Sequence, residues 1–125
     1  MKNKLTDSEL EVLSLLWQHG AMTVREVHSV ISTEREVGYT TTLKIMQIMF
    51  DKGLLTRKKL GKSHLYTPSI DREATQTGLL KKMVNTVFQG STKDMVMQAL
   101  GNSQPTEKEL KEIRNFLDDL DKEQG

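Results

Sequence analysis

Two adjoining stretches hold the residues best equipped to act on another molecule. In YTTTLKIMQIMFDKG (39–53), Thr40, Thr41, Lys44 and Gln47 offer hydroxyl, ammonium and carboxamide groups. These are short or flexible donors and acceptors that can meet base edges or phosphates in a DNA groove, with threonine methyls against thymine and Gln47 on an adenine edge. In LLTRKKLGKSHLYTP (54–68), Arg57, Lys59 and Lys62 supply cations suited to phosphate oxygens, which fix register without reading much sequence. From Lys52 to Ile70 there are five Lys or Arg residues and no acid. Gly61-Lys62-Ser63 has the ending of a nucleotide-binding loop. However, Thr56 stands where that motif needs glycine, and strand–turn–strand is the wrong context for it.

A helix and a hairpin must hold these groups. At about 100° per residue, Thr40, Lys44, Gln47 and Asp51 share one helix face. Leu43, Met46, Met49 and Phe50 turn away from it with Thr42 near them, Ile45 and Ile48 flank the boundary, and Gly53 ends the helix. Taken alone, that polar face fits an ordinary solvated surface; the acid-free hairpin behind it turns the reading toward DNA. Residues 54–58 and 63–67 read as its strands around Leu60-Gly61-Lys62, anchored by Leu55, Leu65 and Tyr66. Upstream, Thr6 with Glu9 and Thr23 with Glu26 form capping boxes, and Leu5 is placed to staple on Leu10. The helices they open carry apolar stripes, Leu10, Leu13, Leu16 and Trp17 in one, Val24, Val27, Val30 and Ile31 in the other. Ala21-Met22 between them is long enough for a minimal strand, and His28, off the second stripe, is expected to face solvent. This order of elements predicts a winged helix-turn-helix domain over residues 1–70.

Beyond Pro68 the pattern is helical. Asp71 caps a helix whose stripe is Leu79, Leu80, Met83, Val84, Val87 and Phe88, with Gly90 as its stop. Ser91 caps a shorter segment with Met95, Val96, Ala99 and Leu100 on one side, ending near Gly101. Thr106 and Glu109 make a third capping box, after which Leu110, Ile113, Leu117 and Leu120 recur at the 3-4-3 spacing of a helix-pairing seam. Three such short helices make a poor independent core. Residues 71–125 are therefore expected to be a helical dimerisation region. Leu79, Leu80, Met83, Val84, Val87, Leu110, Ile113, Leu117 and Leu120 would meet a second copy, so the chain is expected to act as a homodimer. Folding back onto the basic domain as a monomer is the competing arrangement. The expected class is mainly α with a small β-hairpin.

The totals exclude more than they assign. Net charge is only +1, but residues 1–70 hold ten Lys or Arg against seven acids, and residues 71–125 hold eight against ten. That asymmetry suits one part that meets an anion and one that does not. The chain has no cysteine, and its three histidines form no metal-ligand spacing, so neither metal nor other cofactor is expected. No nucleophile motif or paired carboxylate supports an enzyme. No apolar run approaches the roughly 18–20 residues of a membrane span, and the polar start MKNKLTDSEL lacks a signal-peptide core. A cytoplasmic protein without membrane insertion is expected.

In LTDSELEVLSLLW, GYTTTLKIMQIMFDKGLLTRKK and HLYTP the chain resembles the penicillinase-repressor (BlaI/MecI) family of bacterial transcription factors. The resemblance implies a dimeric winged-helix repressor on a palindromic, double-stranded DNA operator, controlling β-lactam resistance or other stress genes. It also implies a membrane sensor protease as inducer, cutting near Gln98–Ala99, although the family's Asn-Phe pair is not kept there. Family recognition helices often carry Arg where Ile48 stands, which implies a different operator preference or a weaker phosphate clamp here. The competing use of the same surface is a winged-helix module that docks an acidic protein.

Overall fold

The computed structural model describes residues 4–124. The chain divides into two compact units, one ending at Thr77 and one starting at Gly78.

In the first unit α1 (Asp7–His19), α2 (Val24–Ile31) and α3 (Tyr39–Asp51) precede a hairpin of β1 (Leu55–Leu60) and β2 (Ser63–Pro68). Both expected capping boxes are formed. The Thr6 hydroxyl accepts the Glu9 N–H at 3.1 Å and the Glu9 carboxylate accepts the Thr6 N–H at 3.0 Å; Thr23 and Glu26 repeat the exchange at 3.2 and 2.9 Å. The core joins Val12, Leu13 and Leu16 of α1, Val24, Val27 and Ile31 of α2, and Met46 and Met49 of α3 to Leu54, Leu55 and Tyr66 of the hairpin region. Each such side chain contributes about 1.5–3 kcal/mol on burial. Leu10 and Trp17, expected in the α1 stripe, are only half-buried. The buried line is Glu9, Val12, Leu13 and Leu16, an i, i+3, i+4, i+7 face that begins on a carboxylate.

The hairpin is longer than its sequence suggested. Leu60 pairs with Ser63, so the turn is Gly61-Lys62 alone, with Gly61 at φ 61°. Met22 adds the expected minimal strand: its N–H donates to the Tyr66 carbonyl at 3.1 Å and its carbonyl accepts the Tyr66 N–H at 2.8 Å. The Trp17 indole N–H donates to the Ile70 carbonyl at 3.3 Å, tying α1 to the chain leaving β2. His28 corrects an expectation. It is half-buried, with Nε2 2.9 Å from the Val37 carbonyl, so it closes the α2–α3 loop instead of facing solvent.

The Asp71 carboxylate accepts the Ala74 N–H at 2.8 Å and caps α4 (Arg72–Val87), within which the division between units falls. The second unit continues with α5 (Thr92–Ser103) and α6 (Glu107–Gln124). Helix α5 runs past Gly101 to Ser103, and Gln104 takes the left-handed position at φ 49°. The stop belongs to Pro105, which cannot continue a helix and disfavours helical backbone in the residue before it. Of the nine residues expected to meet a second copy, Val84 is buried, Leu110 and Ile113 are half-buried, and the other six are exposed. No helix among the described residues is long and apolar enough to cross a membrane.

Candidate nucleic-acid interface

Helix α3 buries Thr42, Met46 and Met49 and leaves Thr40, Thr41, Lys44, Gln47, Ile48 and Asp51 exposed. Its far end is fastened in three ways. Gly53, at φ 81°, breaks the helix and lets the Leu54 N–H reach the Met49 carbonyl at 2.9 Å. The Ser69 hydroxyl donates to the Gly53 carbonyl, and the Ser69 N–H donates to the Leu54 carbonyl at 2.9 Å, so both ends of the hairpin return to the end of α3. Lys52 Nζ lies 2.7 Å from Glu9 Oε2, across to the first turn of α1. Burial pushes the Glu9 carboxyl up, but hydrogen bonds from Lys52 and the Thr6 backbone, with the Lys52 charge, outweigh it and hold the group below its ordinary pKa.

Hairpin register decides which cations face α3. Arg57 pairs with Tyr66 and Lys59 with His64, and strand alternation puts these pairs on one face. Lys58, opposite Leu65, falls on the other face. A cleft of about 240 Å³ opens between the first turn of α2, α3 and the hairpin. Its lining includes Gln47, Arg57 and Lys62, three of the seven residues nominated from the sequence, and no carboxylate. Thr40, Thr41 and Lys44 stand on the exposed face of α3, and Lys59 is exposed on β1, none of them lining the cleft.

The same cleft is lined by Arg25, Tyr39 and His64, which sequence reasoning passed over. The Arg25 guanidinium sits 6.0 Å from the Tyr39 ring centroid, and the His28 ring meets Tyr39 edge-on at 5.7 Å. An arginine two residues beyond a capping threonine was the available signal, because the cap fixes where that turn points. Arg57 is likewise seated on an aromatic, 4.0 Å from the Phe50 ring centroid, with Nη1 donating to the Tyr66 hydroxyl at 3.4 Å.

Three helices, a hairpin directly after the third, and a cationic cleft between them define a winged helix-turn-helix unit. The chain belongs to the penicillinase repressor family, whose model matches residues 5–119. Family members are transcriptional repressors, not enzymes. The chain is 27% identical over 116 residues to a penicillinase repressor of Bacillus licheniformis, covering 93% of this chain and 91% of that one. It is 32% identical over 78 residues to the transcriptional regulator BlaI of Mycobacterium tuberculosis, covering 62% and 56% respectively. Among solved structures it is similar to the DNA binding domain of the repressor BlaI, with a TM-score of 0.52 and 31% identity, covering 58% of this chain and 90% of that one.

Proposed function

We propose that this protein is a sequence-specific DNA-binding repressor that acts as a homodimer on a palindromic operator. The observation that carries the reading is the exposed polar face of α3 beside a cleft lined by cations and free of carboxylates. In this reading α3 enters the major groove, Thr40, Thr41, Lys44 and Gln47 meet base edges or flanking phosphates, and Arg57, Lys59 and Lys62 lie on the backbone. Residues 1–70 form the reading head and residues 71–125 join two copies. The exposed Leu80, Met83, Val87 and Leu117, each roughly half accessible, support a second copy as the cover for that unit. Two joined heads would meet half-sites about one DNA turn, ~34–36 Å, apart. Occupying a promoter then represses it in the cytoplasm, with no chemical step. Release through a membrane sensor protease, implied by the family resemblance, would act near Gln98–Ala99, inside α5.

Selection from a random-sequence duplex pool tests the reading. The expected result is enrichment of a two-fold symmetric sequence, bound by two copies of the chain in sedimentation. A pool that stays random after repeated rounds would overturn it.

A further inference from the structure

Both arginines of the cleft lie over aromatic residues of α3 itself, Arg57 4.0 Å from the Phe50 centroid and Arg25 6.0 Å from that of Tyr39. Tyr39 and Phe50 are eleven positions apart, which at 100° per residue leaves them only ~20° apart around the helix and ~16 Å apart along it. They therefore form one line on the flank of α3 that adjoins the reading face. Arg25 comes to that line from the first turn of α2 and Arg57 from β1. Arg25 also occupies the first turn of α2, where the helix dipole disfavours a cation. The helix dipole alone therefore gives no reason for a cation there. Both guanidiniums face a cleft whose lining holds no carboxylate to pair with them.

We infer that Arg25 is a second phosphate ligand beside Arg57, and that Tyr39 and Phe50 are positioning residues that hold the two guanidiniums ready for the DNA backbone. A planar guanidinium stacked on a ring keeps its edge N–H groups free for a phosphate while its rotamers are restricted in advance. Tyr66 adds a second restraint on Arg57 through its hydroxyl. The inference rests on the DNA-binding reading and extends it to residues outside the exposed face of α3.

Phosphate contacts are sequence-independent, so a mixed-sequence duplex titrated against the full chain at several salt concentrations is a sufficient probe. Arg25→Ala and Arg57→Ala should each lower the slope of log affinity against log salt by about one. Phe50→Leu and Tyr39→Leu should weaken binding by about two- to fivefold with the slope unchanged, and that loss should vanish when the seated arginine is already alanine. Arg57→Lys keeps the charge but gives up the planar guanidinium that lies on Phe50, and should reproduce the Phe50→Leu loss. An unchanged slope in Arg25→Ala, or ring losses that add in full to the arginine losses, overturns the inference while leaving DNA binding intact. A wild-type chain that retains no duplex at all removes both readings together.

Discussion

Gln47 is the nominated base reader that is both exposed and part of the cleft lining, so it should discriminate most sharply. Gln47→Ala should flatten preference at particular base pairs of a selected operator by about 1–3 kcal/mol. Binding to single-base operator variants checks this, and unchanged discrimination would remove the role. Glu9 makes a prediction about pH. Its folded pKa is lowered, so its contribution to stability is complete above the ordinary glutamate range and is lost as pH falls through the lowered folded value. Glu9→Gln should cost about 1–2 kcal/mol at neutral pH, near the low end because Lys52 reaches water, and almost nothing in acid. Urea unfolding of both proteins at the two pH values decides it. The exposure of Lys44 and Gln47 was legible from helical periodicity, since only the residue spacing is needed. The burial of Glu9 was not, because its partner lies 43 residues away. Nor were the aromatic seats of the arginines, which depend on how β1 and α2 pack against α3.

Between elements, the junction of α3 and the hairpin is the point of least tolerance. Gly53 holds a positive φ that other residues adopt at a cost, yet a Cβ there would meet nothing within 4 Å. Gly53→Ala should therefore lower stability by about 1–2 kcal/mol through backbone strain alone, as thermal or urea unfolding would register. A neutral result would mean that the junction relaxes freely. Capping boxes and glycine stops made α1, α2 and α3 readable because the signals are local. The same rule misplaced the end of α5 at Gly101, where a glycine inside the helix looked like a stop and Pro105 supplied the real one. The turn of the hairpin was drawn too wide because Leu60, exposed and apolar, gave no sign of its pairing with Ser63.

At the scale of the whole molecule, the C-terminal helices carry apolar surface that one chain leaves open. Leu117, 51% exposed on α6, is the sharpest probe of that surface. On the proposed homodimer, Leu117→Asp should yield monomers by sedimentation and reduce operator affinity by more than an order of magnitude, since linked heads bind with an effective concentration that separate heads lack. An intact dimer would take Leu117 out of the contact. The apolar spacing of this region nominated nine residues for a second copy, of which Val84, Leu110 and Ile113 are instead wholly or partly covered within the chain. Trp17 has a use of its own: it is the sole tryptophan, and its indole is hydrogen-bonded to the Ile70 carbonyl where the hairpin gives way to α4. All indole fluorescence of the protein therefore originates at that one joint. Its emission wavelength and quenching by iodide give a label-free optical gauge of whether the joint stays shut when duplex is added.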